Sequence, residues 1–545
     1  MVDKRVLIIT GLLIIISNSC MNLDDMNINP NGVDPSKGNP NLLLSSIETY
    51  IGTTVVNLGF GDIAGVMQHT QKDGWSGSHN SYNWTTSDHN WGDYYKILRN
   101  IDEMYDKSVE MELDFHQGAA LVLRAYVFGL ITDLWGDAPY SQALKGDLGG
   151  EENIKPVFDK QEDIYTGILA DLDAANTLLS GKQSEYFSIS PVQDLFLGGD
   201  VNKWQKFANS LALRYYMRLS EKAPSVAQAG ITTILADPDT YPIMEDASDD
   251  VNLSYYGNSE IDAWPTDTTN HGFKQGAYAR LKMCATLVEP MQTYNDPRLP
   301  LWAEKVDIPL VAVASPAARD DIVDSVRYIG PDVVSEYESL HGVPIDFDPE
   351  YVGFPPAWSA VAQAYNLCPD INQAPHNPHA SHLNKRYMNT DGPLLKARIL
   401  TAAEVNFIIA EAALKGWASD PQGHYEQGIQ ASLDAWGVGS EGAAYILNPG
   451  VVYDGTLEQI MEQKWIASWT ATAESWFDFR RTGLPGLLPG TVVKRNAIPL
   501  RFYYGVDELN YNPDNTNAAI NLLEETAYSM EDGKNSAWSK MWVLQ

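Results

Sequence analysis

The chain is short of cysteine and of positive charge. Three cysteines in 545 residues exclude a disulfide-stapled scaffold. Against 71 acidic side chains there are 37 basic ones, a formal charge of -34, and a phosphate-backbone binder needs clustered Lys and Arg to displace counterions. Nucleic acid is therefore not an expected partner. No nucleophile elbow, glycine-rich phosphate loop or C-x-x-C pair occurs, so neither a catalytic residue nor a cofactor is expected. With 71 carboxylates, an Asp and Glu pair says nothing about glycosidase chemistry, which requires a fixed separation across a cleft. What is plentiful is apolar residue, 44% of the chain, enough for a large globular body of about three to four domains' worth of chain. Tyr and Trp, 28 and 15 residues, outnumber the 14 Phe. Rings with a polar handle suit half-wet binding faces.

The first twenty residues read as an address. Lys4 and Arg5 precede an apolar run from Val6 to Ile16, followed by Ser17, Asn18, Ser19 and Cys20. The run is too short for the roughly twenty residues of a bilayer-spanning helix and fits a secretory signal. A cysteine directly after such a segment resembles a bacterial lipoprotein signal, which implies removal of residues 1–19 and fatty (palmitate-type) acylation of Cys20 as a membrane anchor. Asp24 and Asp25 resemble the acidic cue that sends such proteins to the outer face of the outer membrane.

From residue 20 to 40 the chain is rich in Asn, Asp, Pro and Gly and has no structural period, as an extended tether would. Its Asp25, Asn27, Asn29 and Asn31 alternate like calcium ligands, but Gly38 stands where an EF-hand needs a bidentate Glu. Helical patterns follow. Val405, Ile408, Ile409, Ala412 and Ala413 form one stripe between Thr401 and Trp417, with a capping box of Thr401 and Glu404 and a stop at Gly416. Thr456 and Gln459 box a second stripe of Leu457, Ile460, Met461 and Trp465. Two more run through Ile164, Ile168, Leu172, Ala175 and Leu179, and through Trp204, Phe207, Leu211 and Tyr215. The stretch from Ala119 to Leu134 is apolar nearly all round, which predicts a central helix. Tyr425, Gly428 and Ile429 resemble the second helix of a tetratricopeptide unit. Between Tyr241 and Pro393 lie 16 of the 30 prolines, which marks a loop-rich insertion. The expected architecture is mostly α: tetratricopeptide-like helical hairpins at 41–240 and 396–545 form a base, and 241–395 is an irregular, loop-rich insertion.

Ligand-facing candidates come from the aromatic and polar loops. Trp75, Asn80, Tyr82, Asn83, Trp84 and Asp88 share a stretch with no apolar stripe, and Tyr255, Tyr256, Trp264, Trp358 and Tyr365 are their counterparts in the insertion. Such rings either stack on sugar or peptide or pin their loops to the core. His376, His379 and His382 suit zinc or copper chemically, but no carboxylate or helical pair joins them, so they read as a solvated loop. Cys284 and Cys368 are candidates for one disulfide.

Five segments together resemble the SusD/RagB family of nutrient-binding outer-membrane lipoproteins, in the SusD-like branch with an N-terminal DxNxNPN sequence. They are Asp25 to Asn31 (DMNINPN), Thr132 to Leu144 (TDLWGDAPYSQAL), Lys203 to Arg218 (KWQKFANSLALRYYMR), Ala410 to Trp417 (AEAALKGW) and Glu474 to Pro485 (ESWFDFRRTGLP). The resemblance implies a helical base seated as a lid on a SusC-like TonB-dependent outer-membrane transporter, capturing an oligosaccharide or peptide at the cell surface and delivering it without chemistry. These segments read as structural. Asp133 and Asp137 are expected to accept backbone N–H groups at a turn made by Gly136 and Pro139, near Trp135. Arg480 and Arg481 are expected to pair with Glu474 and Asp478 at a helix end closed by Gly483. Two other readings remain: a lipid-anchored glycoside hydrolase using two insertion carboxylates, and a tetratricopeptide-like assembly scaffold.

Overall fold

The computed structural model describes residues 38–73, 76–270, 278–358, 362–369 and 376–545. The signal segment, Cys20, the Asp25–Asn31 motif and Trp75 lie outside the described residues. Helices dominate. We label α1 Pro40–Phe60, α2 Gly92–Glu110, α3 Asp114–Trp135, α4 Gln161–Leu178, α5 Val201–Arg218, α6 Pro224–Ala236, α7 Ala285–Thr293, α8 Pro331–His341, α9 Ala402–Leu414, α10 Pro421–Ala435, α11 Leu457–Ala467 and α12 Thr472–Thr482.

The central helix expected from the sequence is α3. It is long and apolar enough to cross a membrane, yet 94% of its apolar window is buried, because α2 and α4 pack along it. Close packing explains one of its glycines: a Cβ on Gly129 would overlap the Tyr215 hydroxyl of α5. At Gly136 the backbone turns to φ +94°, a conformation that L side chains resist, and α3 ends there. The pair α9–α10 forms the tetratricopeptide-like hairpin, with Gly428 in contact with the Phe407 ring. Half of each expected capping box forms. Thr401 Oγ1 accepts from Glu404 N at 3.2 Å and Thr456 Oγ1 from Gln459 N at 3.2 Å. The reciprocal side chains go elsewhere: Glu404 binds Arg214 and Gln459 Oε1 accepts from Asp454 N.

Short strands tie the irregular region to this base. β1 (Thr70–Lys72) pairs antiparallel with β3 (Leu281–Met283), and β2 (Val251–Ser254) with β7 (Lys396–Leu400), through a bulge at Val251/Asn252. β4 (Leu310–Ala312), β5 (Asp320–Val323) and β6 (Val326–Ile329) form a three-stranded sheet in the order β4-β6-β5. That sheet shares a small separate core of Leu310, Ile329, Tyr337 and Ile345 with α8. The rest of 241–395 is not merely draped over the base. Trp264, Leu281, Met283, Leu287, Trp302 and Tyr387 all enter the main core.

Charged residues of four of the five quoted segments, with Glu404 and Lys464, meet in a buried ionic network between α3, α5, α9, α11 and α12. Arg214 reaches Glu404 at 2.7 Å and Glu474 at 3.3 Å, and Arg218 reaches Glu474 at 2.5 Å and Asp133 at 3.3 Å. Lys464 and Arg481 hold Asp478 at 2.6 and 3.0 Å, and Arg481 also binds Glu411 at 2.5 Å. Burial pushes the Asp478 carboxyl up, but Lys464, Arg481 and Arg218 outweigh it and hold it well below the carboxylate range. Asp137 accepts a backbone N–H, but from Gln161 at the start of α4, at 2.8 Å, and not from its own turn. Asp133 does not cap a turn; it accepts the Tyr165 hydroxyl at 2.6 Å and faces Arg218. Arg480 likewise departs from its expected acidic partners. It donates to Asp133 O and Leu500 O at 2.8 and 2.6 Å and lies over the Trp476 and Phe477 rings. Gly483, at φ +76°, closes α12 as expected.

The aromatic core also buries a titratable ring. His69 packs between Trp465 and Trp469 at 4.9 and 5.8 Å, and burial lowers its pKa from 6.5 to about 3. Between those values the unfolded chain binds a proton that the folded one refuses, so this residue's contribution to stability falls as pH falls from about 6.5 towards 3. His69→Phe is expected to remove up to about 1.4 kcal/mol per pH unit from that slope. Urea unfolding of both chains between pH 7.5 and 4.5 checks this; parallel pH profiles would contradict it.

Candidate functional site

Three loops meet over β1 and form a plate. The first, 76–84, is clamped by Asn80, whose side chain accepts from Lys72 N at 2.8 Å and donates to Lys72 O at 2.7 Å. The second, 354–358, is tied to β1 by Ala357 N, which donates to Gln71 Oε1 at 2.8 Å. The third, 488–494, straps the other two together. Lys494 N donates to Ser81 O at 2.7 Å, Lys494 Nζ donates to Trp84 O at 2.7 Å, and Val492 N donates to Ala357 O at 2.9 Å. Thr491 Oγ1 also donates to Trp358 O, and Gln68 Nε2 donates to Leu488 O at 2.7 Å.

Trp358 is the ring this plate presents. It is half-buried, its Nε1 donates to His341 O at 3.2 Å, and Tyr365 supports it edge-on at 5.6 Å. Asn83 and Thr491 are exposed on the same three loops. A supported ring that keeps some accessible surface, on joined loops that also expose an amide and a hydroxyl, can stack on an apolar C–H face and hydrogen-bond the groups around it.

The sequence candidates separate cleanly by burial. Asn80, Tyr82, Trp84, Tyr255, Trp264 and Tyr365 are all buried. Trp84 donates to Ser78 O at 3.0 Å and packs against Trp476 and Phe502. Trp264 donates to Thr266 Oγ1 at 2.9 Å and packs against Phe60, Tyr255 and Tyr387. These rings pin their loops. Asn83, Asp88, Tyr256 and Trp358 keep accessible surface, but only Asn83 and Trp358 share the plate's loops. Asp88 closes its own turn on Thr85 N at 2.6 Å, and Tyr256, 60% exposed, belongs to a separate turn with Asp262. Residues 488–494 escaped the sequence reading. Their only signal is proline and glycine punctuation at Pro485, Gly486, Pro489 and Gly490. Beside the plate's first loop, His89, Asn90, Trp91 and Glu508 line a cleft of about 130 Å³, where Trp91 Nε1 donates to Glu508 at 2.8 Å.

The three histidines do not form a solvated run. His376 is exposed and meets Asp307 at 2.6 Å, whereas His379 and His382 are buried. His379 bonds Ile308 O through Nδ1 and Arg327 through Nε2, and His382 Nε2 faces Asn377 O. Among the described residues no group of three or more His, Cys, Asp or Glu is arranged to hold a metal ion. Cys284 and Cys368 are both buried, and no disulfide joins them; burial pushes the Cys284 thiol up to about 12.

Comparison with known proteins gives this geometry a context. The SusD-like family described as "Starch-binding associating with outer membrane" matches residues 35–310 and 362–505. No curated protein matches the chain. A SusD homolog from Bacteroides fragilis shares 22% identity over 93% of this chain and 100% of its own, with a TM-score of 0.68. A SusD-like protein from Bacteroides thetaiotaomicron shares 23% over 92% and 98%, with a TM-score of 0.65. A chitin-binding SusD homolog from Flavobacterium johnsoniae shares 20% over 92% and 97%, also with a TM-score of 0.65. These similarities establish a common helical fold. Because the family match extends over most of its length, this chain belongs to the SusD-like family of starch-binding proteins that associate with the outer membrane.

Proposed function

We propose that the protein is a lipoprotein, anchored through Cys20 at the cell surface, that captures an oligosaccharide on the plate around Trp358 and passes it to a SusC-like TonB-dependent transporter without chemical change. The observation that carries this reading is the plate itself: one supported, half-exposed tryptophan among amide and hydroxyl groups, in a family described as starch-binding. The chitin-binding relative supports a glycan over a peptide. Nothing in the reading calls for chemistry, and the charged side chains between α3, α5, α9, α11 and α12 are committed to one another.

Magnitudes favour modest affinity. A stacked ring contributes about 0.5–1.5 kcal/mol, while association costs on the order of 4–15 kcal/mol in lost freedom. Several sugar units must therefore be engaged, and release to a transporter stays easy. Acyl chains on Cys20, at about 0.8 kcal/mol per buried CH₂, would hold the acidic chain without a basic patch. Calorimetric titration with starch- and chitin-derived oligosaccharides and with short peptides tests the reading. Saturable binding of at least one oligosaccharide, with the sugar recovered intact, is expected. Binding of peptides alone, or shortened sugar after incubation, would refute it.

A further inference from the structure

The end of the molecule where the described chain begins carries an apolar rim. Asn39 caps α1 by accepting from Asn41 N at 3.0 Å, and Asn41 clasps the segment 186–193. Its Nδ2 donates to Ser188 O at 2.7 Å, and Ser190 N donates to its Oδ1 at 3.0 Å. Ser45 Oγ, one turn further along α1, donates to Gln193 O. These bonds bring Phe187 and Val192 to the first turn of α1, which carries Leu42. None of the three is sheltered: Leu42 is 58%, Phe187 72% and Val192 85% exposed, the last being the most exposed large apolar side chain among the described residues. Bulky apolar groups left exposed on two segments that polar clasps hold side by side, without involving those groups, are placed for contact outside the molecule.

We propose that this rim rests on the lipid surface, with Leu42, Phe187 and Val192 entering the boundary between headgroups and acyl chains. The inference rests on the lipoprotein reading above and adds a second membrane contact to it. The occupant follows from where the chain leads. Gly38 stands 18 positions after Cys20, a stretch that spans at most about 60–65 Å even at full extension. An acylated Cys20 thus keeps the start of α1 within that reach of the bilayer, and the rim's contact becomes intramolecular, where even a weak apolar surface is largely engaged. The formal charge of -34 defines the surface further, because an anionic bilayer repels the body while a zwitterionic one does not.

The test uses the full mature chain carrying Cys20→Ser, so that no acyl chain contributes, with phosphatidylcholine vesicles at millimolar lipid. Cosedimentation is expected, falling about tenfold in Leu42→Ser/Phe187→Ser/Val192→Ser at unchanged Tm, and weakening when anionic phosphatidylglycerol is admixed. In a second measurement, Val192→Cys labelled with a polarity-sensitive dye, with Cys284 and Cys368 buried, is expected to shift to the blue on vesicles. Equal sedimentation of the triple variant, or no sedimentation of the parent chain together with no blue shift of the labelled Val192→Cys chain, overturns the inference. Its fate is separable from that of the parent reading: rim-dependent sedimentation with an unacylated Cys20 in cells would sink the anchor and keep the rim. An acylated Cys20 with a silent rim would do the reverse.

Discussion

Arg218→Met is expected to lower stability by about 3–5 kcal/mol. Arg218 is 4% exposed and stands between Glu474 at 2.5 Å and Asp133 at 3.3 Å, its guanidinium over the Phe477 ring at 4.8 Å. Methionine keeps much of the volume but takes the ion-pair partner from Asp133 and leaves Glu474 to Arg214 alone, and a buried charge so uncovered is costly. Burial already pushes the Asp133 carboxyl up, so part of the loss would be relieved by protonating it. The double variant Arg218→Met/Glu474→Gln is accordingly expected to recover part of the stability. Lys96→Met is the control. Lys96 and Asp93 are as close, at 2.7 Å, but 70% and 76% exposed, and an exposed i,i+3 pair contributes about 0.5 kcal/mol or less. Chemical denaturation of the four chains measures this; equal losses from Arg218→Met and Lys96→Met would show that the network is not a stabilising element.

Trp264→Ala is expected to cost about 3–5 kcal/mol while leaving oligosaccharide affinity unchanged at temperatures where both chains are folded. The ring is fully buried and touches Phe60, Tyr255 and Tyr387 at 5.5, 5.6 and 5.7 Å. Its loss leaves a cavity among those rings and removes the indole N–H from Thr266 Oγ1, which keeps its own bond to Tyr387 O. Denaturation and calorimetry on the same preparation separate the two effects. A stable variant with lost affinity would move the ligand to this ring.

Much of the helical base is legible in the sequence. The stripe from Val405 to Ala413, its Thr401 cap, the all-apolar run that became α3 and the stop at Gly136 are local signals, each decided within a few residues. Of the ionic network only the i,i+3 pair Arg481–Asp478 is local; Asp133, Arg218, Glu404 and Glu474 are far apart in the chain and only packing pairs them. The site was half legible for a similar reason. Trp84, Trp264 and Trp358 all sit among polar and small residues, and the polar handle that suggested wet faces is satisfied inside the protein in each case. Trp84 and Trp264 find an acceptor within six residues and fold inward on it. Trp358 reaches across to His341 O at the end of α8, which leaves part of its ring outside. Residues 488–494 carry no period of either kind, so nothing local marks them as the strap.

The most direct measurement is the oligosaccharide affinity of Trp358→Ala beside that of the parent chain, by calorimetry on the sugar that binds best. One stacked ring lost is expected to weaken binding roughly tenfold, with Tm nearly unchanged because the plate is held by the backbone clasps of 76–84, 354–358 and 488–494. Undiminished affinity in Trp358→Ala, with the variant fully folded, would contradict capture on this plate.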